Sequence, residues 1–188
     1  IPRFTLHMAR LQRGAAALGW DCPMAQATAA LAGLPAGAAR VRLTLDASGR
    51  VRVETAPLPA AKAEWRLVLA AGRLAADDPW LRIKSTHRAA YDAARAALPA
   101  GADEAVFLNE RGDVCDGTIT TVFFDRGEGM MTPPLASGLL PGVLRAEMLE
   151  AGRCREAVLA AGELPRVRLW VGNALRGLIP AVWAGPVI

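Results

Sequence analysis

Apolar and polar positions change period several times along the chain, and each change marks an element. Residues 5–19 repeat at helical spacing: Leu6, Ala9, Ala16 and Leu18 share the stretch with Arg10 and Arg13, and Gly19 ends it. A second short helix is expected from Met24 to Leu34, stopped by Pro35 and Gly37. The period then drops to two. Arg40–Asp46 and Arg50–Thr55 alternate around Ala47-Ser-Gly, the pattern of a hairpin. Pro57 to Ala63 has no period and two prolines, which makes it the linker candidate.

Beyond the linker, Trp65–Ala71 reads as a strand, and a helix is expected from about His87 to Leu98, with Ser85 and Thr86 as caps. Glu104–Leu108 and Gly117–Asp125 read as strands about an Asn-Glu-Arg-Gly-Asp turn. A helix follows from Val143 to Ala151. Strands are expected at Arg155–Leu159, Arg168–Gly172 and near Ala181–Ala184. The pattern is α+β in two domains, residues 1–60 and 61–188.

Composition narrows the function. The 188 residues are 53% apolar, ample for a core, yet no uncharged apolar run reaches the length of about 18 residues that a membrane span needs. No secretory leader is visible. Three widely spaced cysteines, Cys22, Cys115 and Cys154, fit reduced thiols and a cytoplasmic location, and no metal-ligand spacing occurs. The net charge is +4, but the arginines are scattered and not interleaved with aromatics, so nucleic acid is not the expected partner.

Lysine is scarce: only Lys62 and Lys84 occur. Where arginine serves nearly every cationic need, a retained lysine points to its amine, which can lose a proton and attack. Lys62 sits in the linker; Lys84 lies between a strand-like run and a helix. Two further features stand out between Leu108 and Gly142. Asp116 is a carboxylate set on β structure beside Gly117. Leu-Pro-Gly then leads into a helix at Val143, where unsatisfied amides and the helix dipole favour an anion. A carboxylate and an anion site together suit a ligand with a basic nitrogen and a phosphate.

Five blocks, in order, resemble the fold type IV pyridoxal-phosphate enzymes, the class IV aminotransferase family. They are His7-Met-Ala-Arg-Leu; Ile83-Lys-Ser-Thr-His-Arg; Asp113-Val-Cys-Asp-Gly-Thr-Ile-Thr-Thr-Val-Phe; Thr132-Pro-Pro-Leu-Ala-Ser-Gly-Leu-Leu-Pro-Gly-Val-Leu-Arg; and Gly172-Asn-Ala-Leu-Arg-Gly-Leu-Ile-Pro. The resemblance implies a two-domain fold like that of D-amino-acid aminotransferase, pyridoxal 5'-phosphate as cofactor, a small-molecule amino substrate and a homodimer. The family's opening strand has no counterpart before the first block, and the sequence begins at Ile1. A missing N-terminal strand is therefore expected.

Residue by residue, the resemblance implies that Lys84 joins the cofactor covalently and Asp116 faces the pyridine nitrogen. Arg10 and the backbone amides of Val143 and Leu144 would bind the phosphate. Asn173 and Ala174 would close the pocket on that side. Arg88 would either hold its helix start or meet a substrate carboxylate. His7 and His87 read as structural. Three departures stand out: aspartate where the family has glutamate at 116, Leu144 where aminotransferases carry threonine, and Thr121 where asparagine is common.

Asn173-Ala-Leu, with Pro180 seven residues after Asn173, and the spacing of Lys84 and Arg88 are closer to the 4-amino-4-deoxychorismate lyases of the family. The activity so implied releases p-aminobenzoate and pyruvate, a step of folate biosynthesis. The alternative is a branched-chain or D-amino-acid aminotransferase, and a further one is a cofactor-binding relative without catalysis.

Overall fold

The structure is a computed structural model that describes residues 1–34 and 37–187. It divides into two compact units, Arg3–Ala61 and Lys62–Ile188. The first carries helices α1 (Phe4–Ala17) and α2 (Met24–Ala32) and a hairpin of β1 (Arg40–Leu45) and β2 (Val51–Ala56). The hairpin is antiparallel with Arg40 opposite Ala56. Its turn is built by Asp46, whose Oδ1 accepts from the amides of Ser48 and Arg50 at 3.0 and 3.1 Å. The helix α2 stops at Ala32; the expected stop at Pro35 lies outside the described residues.

The second unit is one mixed sheet. Its strands are β3 (Trp65–Leu74), β4 (Glu104–Asn109), β5 (Val114–Gly117), β6 (Thr121–Asp125), β7 (Met130–Thr132), β8 (Arg155–Glu156), β9 (Arg168–Asn173) and β10 (Gly177–Val187). They lie in the order β5-β4-β3-β10-β9-β6-β7-β8. The two ends of that order meet. Val114 donates its amide to Leu159 O at 2.8 Å, and Asp113 bridges to Ala160. The sheet is therefore curled on itself, which leaves fewer open edges.

Alternation along the strands decides what fills each side. Val106, Leu108, Val114, Val122, Phe124 and Val171 point into one cluster inside the curl. Their neighbours Ala105 and Phe107 face outward with Val68 and Ala70, and helix α3 (Ala89–Ala96) covers them through Tyr91 and Ala94. Phe123 faces outward as well and meets Leu144 and Met148 of helix α4 (Val143–Glu150). Each helix thus buries a stripe against a sheet face, the arrangement that stabilises a two-layer α+β unit.

The α+β reading holds, with four corrections. Helix α3 begins at Ala89, not His87, and no side chain caps it. Ser85 instead accepts from the His87 amide at 3.1 Å, and His87 stacks on Trp80 with centroids 4.5 Å apart, so this stretch is a folded turn. The expected strand Gly117–Asp125 breaks at 118–120, because β5 pairs with β4 while β6 pairs with β9. Only Arg155–Glu156 of the expected strand Arg155–Leu159 forms a ladder; the rest leaves β7 to meet β5. The last strand is longer than its Ala181–Ala184 centre, since β10 pairs with β9 on one side and β3 on the other despite its glycines and Pro180.

Candidate active site

The last residues of β5 place Asp116 at the edge of the curl. Asp116 is buried. Its Oδ2 accepts from the Leu140 amide at 3.4 Å, and its Oδ1 is buried with no hydrogen-bond partner. Desolvation pushes its carboxyl well above the usual range. The Leu140 amide and the Lys84 ammonium pull it down, Glu104 pushes it up, and Arg145 pulls it down. An orphaned, desolvated carboxyl oxygen lacks a donor or a cation. A protonated ring nitrogen is such a partner, so this residue fits the cofactor that the sequence resemblance implies.

The segment that supplies Leu140 continues into α4. Gly142 is the N-cap, with extended φ −66° and ψ 145°, and no side chain caps the helix. The first helical bond runs from the Ala146 amide to Gly142 O at 2.9 Å, so the amides of Val143 and Leu144 precede the helical ladder. That is the arrangement an anion needs. Gly142 is required by its neighbour: a Cβ there would stand 2.9 Å from Thr121 Oγ1. Thr121, at the start of β6, thus lies against the helix start.

Leu144 has its side chain in the core beside Phe123 and Met148, so a phosphate can meet only its backbone. Gly172 of β9 is close to it. A Cβ at Gly172 would fall 2.7 Å from Leu144 Cδ2 and 2.5 Å from Gly177 O. Asn173 follows. Its Oδ1 accepts from the amides of Leu175 and Arg176, both at 3.0 Å, and fixes the turn between β9 and β10 that holds Ala174. Its Nδ2 donates to Ile119 O at 3.1 Å.

These contacts form a closed circuit: Asp116 to Leu140, Gly142 to Thr121, Leu144 to Gly172, and Asn173 to Ile119. The structure therefore brings Asp116, Val143, Leu144, Asn173 and Ala174 to one rim of the second unit. Lys84 lies in the exposed coil between a 3-10 turn (Pro79–Arg82) and α3, within electrostatic reach of Asp116. Arg88 donates from Nε to Asp92 Oδ1 at 2.7 Å and from Nη2 to Thr118 O at 3.0 Å. Both contacts secure its own helix start and the 118–120 loop. Arg10 is on α1 of the first unit, where burial and then the charge of Arg13 lower its basicity.

Sequence reasoning missed three residues here. Glu104 is wholly buried beside this rim. Arg145 is buried on α4, donates to Pro133 O at 3.0 Å and pairs with Glu156. The chain's single tyrosine, Tyr91, packs edge-on to Phe107, and burial and then the Asp116 charge raise its phenol. A charged residue opening an apolar run was the available signal for Glu104. Among the described residues no group of His, Cys, Asp and Glu could hold a metal ion, and no helix is long and apolar enough to cross a membrane.

The sequence profile of the amino-transferase class IV family matches residues 1–182. A protein of Schizosaccharomyces pombe named "Putative aminodeoxychorismate lyase" is 32% identical over 158 residues, covering 80% of this chain and 68% of that protein. The crystal structure of a "Putative amino-acid aminotransferase" from Mesorhizobium loti superposes with a TM-score of 0.89 at 42% identity, covering 99% of this chain and 92% of that one. The 4-amino-4-deoxychorismate lyase of Pseudomonas aeruginosa shares the fold, with a TM-score of 0.80 at 23% identity over 98% of this chain and 77% of its own.

Proposed function

The chain belongs to the class IV aminotransferases, a family of pyridoxal-phosphate enzymes, and we propose that within it this chain is a lyase that splits 4-amino-4-deoxychorismate into p-aminobenzoate and pyruvate. The observation that carries a cofactor role for this rim is Asp116: a buried carboxyl with one orphaned oxygen, beside an uncapped helix start and under the charge of Lys84. The lyase assignment is supported by the likeness to the S. pombe protein and by the Asn173-Ala-Leu and Lys84–Arg88 spacings.

When bound, pyridoxal phosphate supplies an electron sink conjugated to the substrate nitrogen. Lys84 would hold it covalently. The amides of Val143 and Leu144 would hold its phosphate. Asp116 would face the ring nitrogen and keep it protonated, since an ionised neighbour raises the basicity of that nitrogen. Asn173 and Ala174 would wall the same side.

Lys84 Nζ would be the base that removes the proton from the substrate carbon bearing the nitrogen. Loss of the enolpyruvyl group then makes the ring aromatic. Lys84 Nζ would then return the proton to the methylene carbon of the released enolpyruvate, giving pyruvate.

The second reading is an amino-acid aminotransferase, favoured by the 42% identity to the M. loti protein. It would use the same residues, with Lys84 as the group that accepts and returns the substrate proton. Purified protein releasing pyruvate and p-aminobenzoate from aminodeoxychorismate supports the lyase. Keto-acid-dependent amino transfer without pyruvate release replaces it with the transaminase. A homodimer and a cytoplasmic location belong to this proposal as well; three free thiols are consistent with a reducing compartment.

A further inference from the structure

Glu104 opens β4 and is completely buried. Its oxygens face donors. Oε1 accepts from the amides of Thr118 at 3.0 Å and Ala105 at 3.1 Å, from the Thr118 hydroxyl, and from Arg95 Nη1 at 3.4 Å. Oε2 accepts from the Ile119 amide at 3.1 Å and the Thr120 hydroxyl at 2.7 Å. Three consecutive residues of the 118–120 loop are held by one side chain.

Gly117 leaves the room for this. A Cβ there would stand 2.8 Å from Glu104 Oε2 and 2.6 Å from Thr120 Oγ1. The loop's carbonyls are fixed as well, Thr118 O by Arg88 and Ile119 O by Asn173. The loop starts two residues after Asp116, directly after Gly117, and leads into Thr121, which lies against the α4 start. A buried carboxylate is seldom the most stabilising choice for a core position, because desolvation offsets its hydrogen bonds. What it supplies is a defined position for the groups it binds.

We propose that Glu104 is a positioning residue of the cofactor site: by anchoring residues 118–120 it sets where Asp116 and Thr121 stand on either side of the loop. The proposal rests on the reading of Asp116 as the partner of the ring nitrogen. A displacement of about 1 Å in such a site is enough to cost on the order of a hundredfold in rate.

Glu104→Gln tests it. The amide keeps the shape but turns a donor toward donors, so at least one of the Thr118, Ile119 and Thr120 groups loses its acceptor. Three readouts are taken: amide hydrogen exchange of the cofactor-free protein, pyridoxal-phosphate affinity, and the absorbance band of the bound cofactor. The expected result is faster exchange confined to residues 117–121, affinity weaker by about tenfold or more, and a shifted band.

Thr120→Val removes one donor and keeps the carboxylate; it carries the same expectation at smaller size if Glu104→Gln does not accumulate folded. Wild-type affinity and band in a folded variant overturn the proposal. So does exchange that rises across the whole sheet, which would mark Glu104 as merely structural. Asp116→Asn is the control. If it shifts the band and Glu104→Gln does not, only the Glu104 proposal falls. If neither shifts it, the reading of Asp116 falls too.

Discussion

The Leu140 amide reaches Asp116 Oδ2 across 3.4 Å, while the other oxygen of the same carboxyl is buried without a partner. The loop before α4 and the end of β5 are thus joined by a long hydrogen bond to a half-satisfied acid. Such a group burdens the cofactor-free protein and becomes useful once a cation or an N–H faces it.

A stability prediction follows from the sign of that burden. Desolvation raises the folded carboxyl above its unfolded value of about 3.9. Between those two values the native state binds more protons than the unfolded one, so stability falls as pH rises through the window. Asp116→Asn should therefore stabilise the cofactor-free protein near neutral pH, by about 1–3 kcal/mol, and the gain should fade as pH falls toward the unfolded value. Denaturant melts of both proteins across pH measure this. A gain that grows with acid would contradict it.

With cofactor the same substitution should act in the opposite sense. Asp116→Asn should still bind pyridoxal phosphate, because Lys84 and the phosphate contacts would hold it on the proposed reading, but should lose most turnover, because an amide supplies no charge. Asp116→Glu restores the family's residue and should be tolerated better, within the limits that a pocket shaped for one methylene less imposes. Turnover of the Asn variant equal to wild type would leave Asp116 as a turn residue.

Gly172→Ala should damage the helix side of the site. Its methyl would meet Gly177 O at 2.5 Å and Leu144 Cδ2 at 2.7 Å. The carbonyl belongs to the β9–β10 pairing, where Gly177 faces Asn173, so moving it disturbs that pairing. A loss of about 1–3 kcal/mol is expected, together with weaker cofactor binding, both measured by melts with and without pyridoxal phosphate.

The three thiols should differ in reactivity. Cys115 is fully buried, and burial, then the charge of Asp116, pushes its thiol up to about 12. Burial raises the thiols of Cys154 and Cys22 as well, but Cys154 is buried whereas Cys22 is half-buried. A thiol reagent at about pH 8 should label Cys22 first and Cys115 only on unfolding, as mass spectrometry of the peptides would show.

Much of this was legible along the chain. The helix α1 and the strands β1 and β2 carry clear periods, β4 reads as an apolar run, and lysine scarcity singled out Lys84. The break at 118–120 was not legible, because Thr-Ile-Thr-Thr is good strand sequence; the turn exists because Glu104, 14 to 16 residues earlier, collects its donors. That partnership is tertiary and leaves no local mark. The length of β10 was hidden by Gly177, Pro180 and Gly185, which pairing on both sides overrides. The need for glycine at 142 and 117 was not legible either, because it comes from Thr121 at the one and from Thr120 and Glu104 at the other.

The central claim is that Lys84 carries the cofactor, and the two-lysine composition makes it simple to test. Lys62, the other lysine, is bound to Asp103 at 2.7 Å. The protein is loaded with pyridoxal phosphate, reduced with borohydride, digested and mapped by mass spectrometry. The account predicts the phosphopyridoxyl group on the peptide containing Lys84, and its disappearance from the Lys84→Ala protein. The group on Lys62 or the N-terminal amine, or a Lys84→Ala protein that still fixes the cofactor, would contradict it.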